Sequence, residues 1–223
     1  MQSASDGLGG DGGAGPAILR VSATEGFGTW FVAQHLPAFL TAQERVEVEL
    51  VASSGFLSPS RRETDIAILL AKPRRGPLVT RKLSDYTLRL YGSRSYLQAT
   101  EHIEDSAALR RHPLVGYIPD FLYAPELDYL DEIETGLRAS IRSSSINAQH
   151  RLILAGAGVG VLPCFIGDAD PGLTAVLPDL TIRRSFWLSI HQNVRERPHV
   201  RLFVDWLVRT TDQNRALLQS GGA

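Results

Sequence analysis

The stretch AILRVSATEGFGTWFVAQHLPAFLTAQERVEVELV, residues 17–51, decides the fold class. Its start, Ala17-Ile18-Leu19-Arg20-Val21-Ser22, is short, apolar and β-branched, as a buried strand requires. Thr24-Glu25-Gly26-Phe27-Gly28 reads as a connecting loop, after which Trp30, Phe31, Leu36, Phe39 and Leu40 recur at helical spacing. Val46-Glu47-Val48-Glu49-Leu50-Val51 then alternates at period two. Strand, helix and strand together make a βαβ unit. Working outward, Asp65-Ile66-Ala67-Ile68-Leu69-Leu70 is a continuous apolar run, the pattern of a strand covered on both faces, so three parallel strands are expected.

Two further apolar runs, 78–83 and 86–91, flank Ser84-Asp85, and a polar helix-like stretch opens at Gly92-Ser93. A lobe boundary is therefore placed at Gly92. The second half repeats the plan, with strands expected at 114–118, 137–142 and 159–162 and a helix at 146–155. After a run at 186–190, Pro198 starts an amphipathic helix to about 211, with Val200, Phe203, Val204, Leu207 and Val208 on one face. Periodicity alone leaves open which lobe that helix covers. The class is α/β.

The 223 residues carry 23 Lys plus Arg against 24 Asp plus Glu, a balance that excludes a chain gripping nucleic acid by its own surface. The one cysteine, Cys164, cannot form an internal disulfide, so a reducing cytoplasm and a buried thiol are expected. The longest uncharged run, 152–167, has 16 residues interrupted by glycines and Pro163, short of the ~20 a membrane span needs. Residues 1–16 are Gly-rich and acidic and read as a flexible linker.

Gly156-Ala157-Gly158-Val159-Gly160 mimics a dinucleotide fingerprint. Val161 stands where a third glycine is needed, and the run leaves a helix to enter a strand, the reverse of the phosphate-binding order. A helix C-cap with close helix-to-strand packing is the better reading. No serine sits in a nucleophile elbow, and the scattered histidines lack metal-ligand spacing, so no catalysis, metal or cofactor is expected.

Small polar residues at strand ends remain, where open α/β sheets bind ligands. Thr24 and Glu25 follow the first strand, Ser53 and Ser54 the second, and Ser144, Ser145 and Asn147 sit at a strand-to-helix junction in the other half. Each is explained singly as a helix cap; their symmetric placement argues for a cleft. Glu25 is either a cap stabilising the helix dipole or a ligand-contacting group that disfavours anions. Phe27, Ile118, Pro119 and Phe121 are the apolar candidates for the cleft, with core packing as the competing role for Phe27 and Ile118.

These residues resemble the effector-binding, or regulatory, domain of LysR-type transcriptional regulators. The resemblance runs from Ala17 to about Thr211. It rests on Ile18-Leu19-Arg20-Val21-Ser22, Leu36-Pro37-Ala38-Phe39-Leu40, Val46-Glu47-Val48-Glu49-Leu50, Glu63-Thr64-Asp65-Ile66-Ala67-Ile68, and Leu154-Ala155-Gly156-Ala157-Gly158-Val159-Gly160-Val161-Leu162-Pro163. It implies two Rossmann-like lobes joined by two crossover strands, similar to type 2 periplasmic binding proteins, with a small effector between them. By that likeness residues 17–91 plus 193–223 form lobe I and residues 92–192 form lobe II. The cleft residues would be Thr24, the Ser53-Ser54 turn, the loop from Ile118 to Phe121 and the junction from Ser144 to Asn147. Regulators of this kind form dimers and tetramers and reach promoter DNA through an N-terminal winged helix-turn-helix, a segment this chain lacks. The absence of an evident Arg at the strand ends argues against carboxylate effectors, and Arg61 and Arg62 are either a solvated face or part of the cleft mouth. A transporter's solute-binding protein is the alternative that shares such a cleft. A two-lobe enzyme and a constitutively associating domain without an effector are further ones.

Overall fold

A computed structural model describes residues 16–54, 63–73 and 77–220. The linker expected at 1–16, apart from Pro16, and the Arg61-Arg62 pair lie outside them. Strand β1 (Ala17–Thr24) lies between β2 (Val46–Ser53) and β3 (Ile66–Leu69), parallel to both. The expected loop at 24–28 is instead the start of a helix. Glu25 opens α1 (Glu25–Phe27), which runs through a π-helical turn (Gly28–Val32) into α2 (Ala33–Ala42). The glycines that suggested a loop serve close packing: a Cβ on Gly28 would lie 2.6 Å from the Cβ of Ala52 on β2.

The two runs flanking Ser84-Asp85 are one strand, β4 (Leu78–Ser93), because a bulge between Lys82 and Ser84 absorbs the polar interruption without ending the ladder. Then follow α3 (Arg94–Ala99), β5 (Leu114–Gly116), α4 (Leu130–Ile133), β6 (Ile141–Arg142), α5 (Ile146–Leu154), β7 (Val159–Pro163), α6 (Cys164–Gly167), β8 (Leu173–Val176) and β9 (Ile182–His191). The strand expected at 137–142 keeps only its last two residues, since Leu137 closes a turn onto Glu134.

Among the described residues the strands order as β2-β1-β3-β9-β4-β7-β5-β6, with β8 also on β4. Antiparallel β4 and β9 are the long crossovers, so each half is an α/β unit hung on the same two strands. Helix α7 (Pro198–Gln213) packs on the first half, where Phe203 and Trp206 both lie 5.2 Å from Phe39. Helix α8 (Arg215–Gln219) then reaches α6 of the second half, burying Leu218. At the junction Phe27 stacks on Phe31 (4.9 Å) and meets Phe186 (4.2 Å), which stacks on Tyr86 (4.1 Å).

Candidate functional site

The β1-to-α1 junction places Glu25 in the first turn of its own helix, and its side chain crosses to the other half. There it occupies the N-terminus of α5. Ser145 Oγ donates to Glu25 Oε1 at 2.7 Å, the Ile146 backbone N–H to Oε2 at 3.0 Å, and Asn147 Nδ2 to Oε1 at 3.0 Å. Ser54 Oγ adds a longer bond of 3.3 Å from the end of β2. A helix start presents unpaired N–H groups and the positive end of the dipole, a ready anion site. Here the chain's own carboxylate fills it. Ser145 also caps α5 conventionally, its Oγ accepting from the Ala148 N–H at 3.1 Å.

Other contacts tie the halves beside this clamp. Trp30 Nε1 donates to Asn147 Oδ1 at 2.7 Å, and the Trp30 ring stands edge-on to His150 at 4.9 Å. His150 is buried, with Nε2 3.1 Å from an Asp170 carboxylate oxygen. Burial lowers its pKa, helped by Arg151 and opposed by Asp170. At Gly26 the halves meet so closely that a Cβ would lie 3.1 Å from Ile166 Cδ1 and 3.3 Å from Ile146 Cγ2.

Beneath the clamp is a narrow, partly open chamber of about 30 Å³, lined by Thr24, Gly26, Phe27, Tyr86, Tyr117, Tyr123, Tyr129, Ile146 and Phe186 with Leu70, Leu88, Leu127 and Pro163. Burial raises the hydroxyl pKa of all four tyrosines, and the Glu25 charge raises those of Tyr117 and Tyr123 further, so each is a neutral phenol at ordinary pH. A larger open groove of about 820 Å³ lies apart, between Leu97, Ile103, Val176 and Leu180. Among the described residues no group of three His, Cys, Asp or Glu could hold a metal ion, and no helix is long and apolar enough to cross a membrane.

Of the residues singled out from sequence, Glu25, Ser54, Ser145 and Asn147 meet in one hydrogen-bonded cluster. Thr24 and Phe27 line the chamber, and Ser53 closes β2 in register with Thr24. Glu25 is a cap after all, but of a helix 120 residues away. Ser144 is half-buried, and Ile118 and Pro119 lead into a 3-10 turn (Pro119–Phe121) off the chamber wall. Phe121 is 64% exposed and does not line the chamber. Sequence reasoning missed Trp30 and the four tyrosines. Their one sequence signal is the repeat of Tyr117, Tyr123 and Tyr129 at six-residue intervals in a stretch without strong periodicity.

Two curated relatives are 24% identical to this chain. One is the "Mau operon transcriptional activator" of Paracoccus denitrificans, aligned over 189 residues, 84% of this chain and 63% of the relative. The other is the "HTH-type transcriptional regulator PtxR" of Pseudomonas aeruginosa, aligned over 196 residues, 85% and 62%. The chain thus spans less than two thirds of their length. Both are transcriptional regulators, not transporter solute-binding proteins. Among solved structures, the regulatory domain of CrgA, a LysR-type transcriptional regulator from Neisseria meningitidis, superposes with a TM-score of 0.78 at 21% identity, covering 87% of this chain and 98% of that one. That likeness shows the fold, two α/β lobes joined by crossover strands. With residues 14–212 matching the LysR substrate binding domain, the chain belongs to that family.

Proposed function

We propose that this chain is the effector-sensing part of a DNA-binding transcriptional regulator and acts by binding rather than by catalysis. A small molecule enters between lobe I (residues 17–91 plus 193–223) and lobe II (residues 92–192) and changes how they, and paired copies of the chain, are arranged. Promoter DNA is contacted through a winged helix-turn-helix outside this sequence, by a homodimer or tetramer in the cytoplasm. Thr24, Glu25, Phe27, Ser53, Ser54, Ile118, Pro119, Phe121, Ser144, Ser145 and Asn147 form or border the effector cleft.

One observation carries the reading: Glu25 of the first half is hydrogen-bonded to Ser145, Ile146 and Asn147 of the second, beside a chamber lined from both halves. A ligand shifts an equilibrium only by its differential affinity for the two arrangements, and a clamp that spans both halves gives it something to make or break. The chamber is narrow, and an effector that widens it would act on the clamp.

Trp30 reports on the clamp. With Trp187 and Trp206 replaced by Phe, its emission is followed while melting is screened against carboxylates, amines, amino acids and sugars. The expected result is one chemical class that raises the melting temperature by RT ln(1 + [L]/Kd) and shifts Trp30 emission, both effects being lost in Ser145→Ala. A ligand that stabilises the protein without touching Trp30 or needing Ser145 binds one lobe only and overturns the reading.

A further inference from the structure

Away from the clamp, the second half carries a strand whose outer edge is uncovered. Leu90 of β4 faces Val161 of β7 on one side and Val176 of β8 on the other, while Leu88 faces Pro163 of β7 and Ile182 of β9. β8 and β9 are therefore two pieces of one line along the same side of β4, interrupted by residues 177–181. Leu177 opens that excursion with a φ of +50°, the one non-glycine residue with a positive φ among the described residues. The Leu180 N–H closes the turn on the Leu177 carbonyl at 2.8 Å. A bulky residue in the left-handed region is strained, and such strain persists where the surrounding structure imposes it, often at binding sites.

The excursion forms one wall of the open groove of about 820 Å³, and the chain leaving α3, with Leu97 and Ile103, forms the opposite one. Thr174, Ala175 and Val176 of β8 all line it. Successive side chains of a strand point to opposite faces, so three in a row along one groove mean that the groove follows the strand's edge. Among the described residues no strand pairs with that edge, and its outward row of N–H and C=O groups is open to a further strand. The β8 sequence, Leu-Thr-Ala-Val, carries neither a charge nor a proline to block such pairing.

Charge narrows the choice of occupant. Glu101, Glu104 and Asp179 stand on the rim with His102, and no Lys or Arg among the described residues lines it. Glu101 is paired with Arg111 at 3.0 Å, whereas Glu104 and Asp179 are exposed and, among the described residues, form no ion pair or hydrogen bond. A second copy pairing edge to edge about a two-fold axis would set these carboxylates against themselves. A basic segment meets opposite charge instead. We infer that the β8 edge docks an extended segment of another protein, one that carries lysine or arginine among apolar side chains and joins the sheet as a strand beside β8. Its apolar side chains enter the groove and its cations reach Glu104 and Asp179. Because β8 pairs with the crossover strand β4, this partner is mounted on the element that joins the two halves. The inference is independent of the effector cleft.

Binding is measured by fluorescence anisotropy on the whole chain with a labelled peptide of alternating lysine and valine, about six residues long, the usual length of a strand. The comparisons are the same peptide with glutamate for lysine, the same with serine for valine, and two N-methylated forms, each methylated on alternate amides so that one edge of the peptide is blocked. The expected result is saturable binding of the lysine–valine peptide, about tenfold or more tighter than the glutamate and serine peptides, and weaker in about 0.5 M salt. One N-methylated form should lose binding and the other keep it, since only one edge of an added strand meets β8. Glu104→Lys with Asp179→Lys alters two exposed side chains, so the melting temperature should stay nearly unchanged while the preference reverses toward the glutamate peptide.

Equal binding of the lysine and glutamate peptides, no binding of either, or a preference that the double substitution leaves unaltered overturns the inference. So does an equal effect of the two N-methylated forms, which would mean that no strand is added. Sedimentation of both proteins tests the remaining occupant: a dimer that the double substitution dissolves assigns the groove to a second copy and also overturns it. None of these results bears on the Glu25 clamp.

Discussion

Glu25 and Ser145 lie 120 residues apart and share a 2.7 Å hydrogen bond, so a residue in the first turn of α1 caps the N-terminus of α5 in the other half. The fold thereby carries an internal anion where an anionic ligand would otherwise bind. This ties the stability of the closed arrangement to the choice of ligand.

Glu25→Ala leaves the donors of Ser145, Ile146 and Asn147 without their acceptor at a partly buried site. A loss of about 2 kcal/mol is expected, since stranded donors cost about 1–3 kcal/mol and such terms do not add. Glu25→Gln keeps one acceptor oxygen and should lose about half of that. Urea denaturation with a fixed m-value checks the order; equal stability of wild type and Glu25→Ala would show that the clamp contributes nothing in solution.

His150 sets an acid limb on stability. Burial lowers its folded pKa below the ordinary 6.5, so the unfolded chain binds the proton more readily. Stability from this group is therefore present above about pH 6.5 and declines as pH falls through that value toward the folded one. The melting temperature of wild type should drop more steeply between pH 6.5 and 5 than that of His150→Gln. A flatter wild-type profile would mean that the Asp170 attraction outweighs burial.

Gly158→Ala should be among the most damaging single changes. Its φ of +148° suits glycine, and a Cβ would stand 2.1 Å from the Pro113 carbonyl oxygen, backbone that cannot move aside. A cost of about 3 kcal/mol or more is expected, from strain and overpacking together. Gly136 also has a positive φ, +81°, but its nearest neighbour is the Arg110 guanidinium at 3.7 Å. Gly136→Ala should cost only about 1–2 kcal/mol, the backbone penalty alone. Chemical denaturation of both variants decides whether the close approach or the backbone angle dominates.

Cys164 is buried at the start of α6, and burial raises its thiol pKa despite the nearby Tyr91 hydroxyl and Arg89 guanidinium. A neutral, covered thiol is a poor nucleophile. A disulfide reagent at pH 7.5 should modify the native chain about a hundredfold or more slowly than the urea-unfolded one. Rapid native modification would place the thiol at the surface.

What the sequence determined by itself is what local physics determines. The β1 and β2 patterns, the α5 helix and the glycine turn after it were legible because alternation, helical spacing and caps act within a few residues. The turn shows this well: Gly156 takes a φ of +83° just past α5, and the Ala157 N–H returns to the Leu152 carbonyl, as the glycine spacing required. The strand-end polar residues were legible for the same reason, as caps. Tertiary structure alone decided which helix Glu25 caps, since a carboxylate can satisfy any helix start within reach and sequence carries no distance. It also decided that β4 continues through Ser84-Asp85, where pairing with β9 outweighs a polar interruption. The tyrosine chamber is the clearest case: Tyr86 arrives on a crossover strand, whereas Tyr117, Tyr123 and Tyr129 lie outside the strands and helices. Such a convergence has no local signature, because it exists only once the two halves close on each other.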